Sequence, residues 1–187
     1  MPRAAVSIAL LLAALVVAAP AARADEVTIC YNYGCQAQAQ VAFDEPQLDA
    51  LRALFAGADD AAAERAALSL AIGRMYAIAG EQTPVWRDKG GNYADGGENG
   101  RMDCIDHSTN TDNFLRLLHA HGWLRFHEVL APLKRVRFLV FDHWGARIVE
   151  LGTRQTYVVD SWYFDNGHAA AVFAIEEWLA GKLPDGA

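Results

Sequence analysis

Residues 101–110 read RMDCIDHSTN, and from Cys104 the chain runs on as CIDHSTNTDNFLRLLHAHG to Gly122. A glycine-rich run ends here and a helical period begins. Asp103 suits the N-cap of the helix and Gly122 its C-terminal stop. This helix divides the chain. Upstream, DEPQLDALRALFAG (44–57) reads as a helix with Asp44 as cap, Pro46 in the first turn and Gly57 as stop. DAAAERAALSLAIGRMYAIAG (60–80) reads as a longer, alanine-rich one, with Leu68, Ile72, Met75 and Ala79 on a single core-facing stripe. Downstream, FHEVLA (126–131), RVRFLVF (135–141), HWGARIVEL (143–151) and QTYVVDSW (155–162) are rich in β-branched and aromatic residues and read as strands. FDNG (164–167) reads as a turn, and AAAVFAIEEWLAG (169–181) as a closing amphipathic helix. Helices first and an antiparallel sheet second is an α+β layout.

The start of the chain has a different purpose. A short basic opening at Arg3, the apolar run AAVSIALLLAALVVAA and Ala22-Arg23-Ala24 before Asp25 have the three-part layout of a secretory signal peptide. The run is short for a membrane span, which needs about 20 residues, and nothing later is long and apolar enough for one. The expected mature domain is residues 25–187, a length that suits one domain with one core. Without Arg3 and Arg23, the 16 basic residues fall to 14 against 23 acidic ones, a net charge of −9. No lysine/arginine cluster is present, so the footprint of a nucleic-acid partner is missing.

An exported chain with three cysteines has one left over if two pair. CYNYGC places Cys30 and Cys35 on either side of a turn at Asn32–Gly34, within reach of a disulfide in an oxidising compartment. A zinc site would need further ligands, and no C-x-x-C or H-x₃-H partner accompanies the pair. Cys104 is then the odd thiol, open to four readings: buried apolar plug, disulfide half, metal ligand or nucleophile. The run 81–102 just before it holds five glycines and no periodicity. A loop of that length in a compact domain is functional or mobile. Its glycines do not have the spacing of a phosphate-binding loop.

At the first position of a helix, a thiolate meets unpaired N–H groups and the positive end of the macrodipole. Asp103 and Asp106 oppose this by like-charge repulsion. A nucleophilic Cys104 therefore needs an imidazolium partner, and that histidine needs an orienting group. His119 and His121 lie about 22 Å along the helix from Cys104. His107 shares the helix one turn away. His127 sits in an ordinary strand and His168 near a turn. His143 opens a strand whose loop, LGTR, leads into QTYVVDSW. With the turn centred between Leu151 and Gly152, opposed positions sum to 303 and His143 faces Asp160, at a Cβ separation of about 5 Å.

At this point the sequence resembles a known family. Asp103-Cys104-Ile105-Asp106 at a helix start is similar to the D-C-x-D signature of bacterial transglutaminase-like cysteine proteinases. The order continues with HW at 143–144 and VVDSW at 158–162. The resemblance spans about residues 80–165. It implies a papain-like, transglutaminase-type core, with Cys104 as nucleophile, His143 as general base and Asp160 as its orienter. It also implies protein or peptide substrates. Periplasmic members carry an acidic residue between the cysteine and the second aspartate and bind calcium there. Ile105 occupies that position here, although Asp103 and Asp106 retain two hard oxygen ligands. The Cys104 backbone N–H is a natural half of an oxyanion hole, with Asn92 or Asn99 as candidates for the other half.

The expectation is therefore a periplasmic or secreted cysteine hydrolase of α+β fold that needs no cofactor. The alternative is a non-catalytic secreted module using the same scaffold. A metal-binding protein built on His107, His119 and His121 is a third reading. Trp144 and Trp162, close to His143 and Asp160, are core aromatics or walls of the cleft.

Overall fold

The computed structural model describes residues 1, 24–91, 94–137 and 141–186. The signal-like segment, Asn92 and the centre of RVRFLVF lie outside these residues. Among the described residues no helix is long and apolar enough to cross a membrane. The fold mixes helices with antiparallel sheets, as the α+β reading expects.

The chain opens with an antiparallel hairpin, β1 (Asp25–Tyr31) and β2 (Ala37–Phe43). Its alternating Val27, Ile29, Val41 and Phe43 are buried, which is the period-2 pattern of a half-buried pair. Helix α1 (Glu45–Leu54) begins at Asp44, whose side chain accepts from the Gln47 amide while Gln47 reaches back, closing a capping box. Helix α2 (Ala61–Gln82) is capped by Asp60. Its expected stripe of Leu68, Ile72, Met75 and Ala79 is fully buried. The small residues of α2 serve close approach: a Cβ on Gly73 would lie 2.6 Å from the His168 carbonyl oxygen. After a 3₁₀ turn at Pro84–Arg87, helix α3 runs from Cys104 to Ala120.

The second sheet is a four-stranded meander in the order β3 (His127–Arg137), β4 (Phe141–Glu150), β5 (Thr156–Asp160) and β6 (Ala171–Ala174), followed by the short helix α4 (Ile175–Ala180). Three features differ from the expectation. The two strands read at 126–131 and 135–141 are one strand up to Arg137, with a register shift between Leu130 and Leu133 around Pro132. Proline donates no ladder hydrogen bond, and β3 tolerates it as an edge strand at a bulge. The segment 169–181 is not one helix: Val172 and Phe173 pair with Val159 and Val158, so the helix begins only at Ile175. The β4–β5 register sums to 305 rather than 303. Gln155 still pairs with Glu150 (2.8 Å), leaving a four-residue loop whose centre lies one position later. A slip of two keeps every side chain on its face, so His143 and Asp160 become diagonal neighbours instead of opposed ones.

Helix α3 packs between the hairpin and the meander, and its Phe114, Leu115 and Leu118 belong to the main core. A second apolar cluster of Val158, Trp162, Tyr163, Phe173 and Trp178 lies around the ends of β5 and β6. Cys104 packs against this second cluster.

Candidate active site

Asp103 accepts hydrogen bonds from the Ile105 amide (3.0 Å) and the Asp106 amide (2.9 Å), and Asp106 reaches back to the Asp103 amide (3.3 Å). This capping box fixes the start of α3 and makes Cys104 its first residue. Both cap bonds pass over Cys104 and leave its own amide out of the cap. The thiol is free and half-buried against the Trp162/Trp178 cluster.

His143 comes to this point from β4. Its Nε2 lies 2.7 Å from Asp160 Oδ2 at the end of β5. The Trp178 indole donates to the same oxygen (2.8 Å), and the Trp162 amide donates to Asp160 Oδ1 (3.2 Å). With the carboxylate accepting at Nε2, the ring's other nitrogen, Nδ1, is buried and takes no hydrogen bond. Burial alone would push His143 below the ordinary histidine value. The hydrogen bond and charge of Asp160 and the interaction with the Cys104 side chain outweigh it and raise the pKa to about 9. The ring is enclosed by Trp162, Tyr163 and Trp178, with centroids 5.0, 5.7 and 5.7 Å away. Trp144, one residue along β4, has the opposite facing and takes no part. The second aromatic wall is Trp178 of α4, a residue that the helical pattern of 169–181 does not single out.

A buried polar chain lies beneath the site. His107 Nε2 is 2.9 Å from Asp88 Oδ2, and its Nδ1 is 2.8 Å from Ser161 Oγ. Ser161 continues to Thr111 (3.0 Å) and Tyr76 (3.2 Å). Asp88 also accepts from the Met102 amide (2.7 Å). One network therefore joins the segment entering α3, the helix itself and the residue after Asp160. His107 is spoken for by this network, His121 is held by Asp25 (2.6 Å) and His119 is exposed, so the three do not assemble a metal site. His127 is buried elsewhere, between Glu64 (2.8 Å) and Arg65 (3.2 Å).

Cys30 and Cys35 form a disulfide. Their turn docks on the acid pair beside Cys104: the Gly34 amide donates to Asp103 Oδ2 (3.0 Å) and the Cys35 amide to Asp106 Oδ1 (2.6 Å). Asp106 is fully buried, and burial together with the Asp103 charge raises its pKa to about 6 against the pull of these amides. All four oxygens of the pair thus accept backbone hydrogen bonds. A calcium ion needs such oxygens as ligands, so the pair, with Ile105 between its members, does not fit a calcium site. Among the described residues, one cluster of cation-ligand type stands out, Cys30, Cys35 and Asp106, and its two sulfurs are spent on the disulfide. Asn99, the other candidate, accepts from the Asn32 side chain through its amide oxygen (3.2 Å), which ties it to the cysteine turn. Asn92 lies outside the described residues.

Neither the family models, nor the curated proteins, nor the solved structures contain a match to this chain.

Proposed function

We propose that this chain is an exported cysteine hydrolase that cleaves a peptide or amide bond through a thioester on Cys104. The observation that carries the reading is the position of His143: Asp160 fixes it at Nε2, its Nδ1 is buried and unpartnered, and the Cys104 side chain acts on the ring. An imidazole held on one side by a buried carboxylate, with its other nitrogen facing a cysteine at a helix start, is the arrangement that makes a thiolate.

In this reading the thiol proton resides on His143, whose charge Asp160 balances. The sulfur attacks the substrate carbonyl carbon, and the negative charge develops on the carbonyl oxygen. The Cys104 amide, left out of the helix cap, is the donor aimed at that oxygen. As the carbon–nitrogen bond breaks, His143 gives its proton to the departing amine. Water, activated by the now neutral ring, attacks the thioester, releases the acid and restores the thiol. The enclosing Trp162, Tyr163 and Trp178 keep bulk water from the ion pair and so strengthen it. The similarity of residues 80–165 to bacterial transglutaminase-like cysteine proteinases agrees with this chemistry. The Cys30–Cys35 disulfide and the signal-like segment agree with a periplasmic or secreted location.

The test is hydrolysis of a mixed peptide library in water enriched in ¹⁸O. One heavy oxygen in each new C-terminal carboxylate, lost in Cys104→Ala, is the expected result. No cleavage by the folded wild-type chain at any pH from 6 to 9 would leave the non-catalytic scaffold in its place.

A further inference from the structure

Four residues in succession, Asn32, Tyr33, Gly34 and Cys35, have left-handed backbones, with φ of 67°, 60°, 61° and 60°. Glycine adopts this region freely and asparagine tolerates it, but tyrosine and cysteine rarely do. A left-handed run of this kind turns its successive N–H groups to one side, forming a concave cradle for an anion. Here the anions are the protein's own: Asp103 and Asp106 receive the Gly34 and Cys35 amides, and the Tyr33 amide also acts on Asp106. The turn is tied to the same segment elsewhere. The Asn32 amide donates to the Arg101 carbonyl (2.7 Å), the Gly100 amide to the Asn32 side chain (2.8 Å) and the Tyr33 hydroxyl to Asp95 (2.6 Å).

We propose that the disulfide-closed turn Asn32–Cys35 is a positioning element for the nucleophile: it neutralises the acid pair flanking Cys104 with backbone amides, and only while Cys30 and Cys35 are joined. The inference rests on the reading of Cys104 as the nucleophile. Nearby charged groups have partners of their own: His143 bonds Asp160, Arg101 pairs with Asp95 and Glu98, and Arg135 donates to the Trp178 carbonyl and the Tyr163 hydroxyl. Asp103 and Asp106 are the carboxylates next to Cys104 along its own helix. Without the turn, Asp103 Oδ2 and Asp106 Oδ1 lose their donors while the capping-box bonds to the other two oxygens remain, and the pair's charge is less offset beside a developing thiolate.

The bond is what keeps the turn in its unfavourable conformation. A thiol reductant delivers two electrons to it; the sulfur–sulfur bond breaks, each sulfur takes a proton and the reductant becomes a disulfide. Residues 32–35 then relax toward right-handed φ, and their amides turn away from the carboxylates. The rest of the hairpin stays in position, because Asn110 of α3 accepts from the Cys30 amide (2.6 Å) and donates to its carbonyl (2.8 Å). The effect of reduction is thus local to the acid pair and the two residues between its members, Cys104 and Ile105. An exported hydrolase built this way is weak while its cysteines are reduced and becomes competent on oxidation.

The experiment is the rate of Cys104 alkylation by iodoacetamide at pH 7 in the full chain. Wild type is compared with the double variant Cys30→Ser/Cys35→Ser, in which Cys104 is the sole cysteine. The double variant is expected to react about tenfold more slowly, the effect of a one-unit shift in the thiol's ionisation. Adding Asp106→Asn to that background is expected to restore most of the rate, because the charge left bare is gone. A disulfide that only stabilises the fold would lower the melting temperature without slowing alkylation, and Asp106→Asn would rescue nothing; either finding overturns the proposal. If the double variant does not fold, the same comparison is made on wild type reduced in place by a phosphine, with Cys104 labelling read by peptide mass. Slow labelling of oxidised wild type would count against the hydrolase reading itself, whereas fast labelling of both forms refutes the role of the turn alone.

Discussion

Asp160→Asn tests the electrostatics of the site quantitatively. Asparagine has the shape of aspartate and keeps one oxygen for the His143 Nε2–H and the Trp178 indole, both bonded to Asp160 Oδ2. Its amide then opposes the Trp162 N–H, which Asp160 Oδ1 now accepts. The large change is the loss of charge. His143 has a pKa of about 9 in the folded protein, against about 6.5 in an unfolded chain. The folded value lies above the unfolded one, so the stabilisation is complete below about pH 6.5 and disappears as pH rises through 9. A gap of this size corresponds to about 3 kcal/mol. The Cys104 side chain supplies part of the shift, so about 2 kcal/mol is the share expected to leave with the carboxylate charge. Urea unfolding of both proteins at pH 6 and pH 10 measures it. The variant is expected to be less stable at pH 6, with the difference shrinking by about 2 kcal/mol at pH 10. A difference that does not change between the two pH values would show that Asp160 holds His143 by geometry alone and would refute the charge argument.

Two further substitutions probe the frame around the site. Ser161→Ala removes the partner of His107 Nδ1 and the link to Thr111 and Tyr76, all buried. It is expected to cost about 1–3 kcal/mol in urea unfolding; a loss below 0.5 kcal/mol, the ordinary scale of a surface change, would mean that the polar chain is not coupled to the fold. Glu64→Ala leaves the Arg125 and Phe126 amides and His127 Nδ1 without their acceptor in the core. It is expected to lower stability by about 3–5 kcal/mol, seen as a large fall in thermal midpoint, whereas Arg52→Ala, which breaks an exposed pair with Asp49, is expected to change it by about 0–1 kcal/mol.

Where local chemistry decides the conformation, the sequence is easy to read. Asp44 and Asp103 are capping residues in the chain and caps in the fold, and the stripe on α2 is its buried face. Cys30 and Cys35, separated by a turn, are bonded. What could not be read depends on partners distant in the chain. Val172 and Phe173 lie in a segment with helical periodicity, and only the open edge of β5 draws them into a strand. The alternation in EVTICY and AQAQVAF around the cysteine turn is a hairpin signal that the sequence itself carries. His143 and Asp160 meet even though the register is two positions from the expected one, because a two-residue slip preserves the face. Trp178, the second donor to Asp160, carries no local mark of that role: its contact depends on where β6 ends. The acid pair at 103 and 106 shows in the sequence only as two hard oxygen ligands, and the turn whose amides it holds comes from a distant part of the chain.

In the proposed reaction His143 activates the Cys104 thiol, and alkylation at pH 6 measures this directly. An ordinary thiol of pKa about 8.5 is less than about 1% ionised at that pH. Wild-type Cys104 is expected to react with iodoacetamide at least tenfold faster than glutathione, and His143→Ala is expected to remove that advantage while leaving the far-ultraviolet spectrum intact. Equal rates for wild type, variant and glutathione would contradict the account.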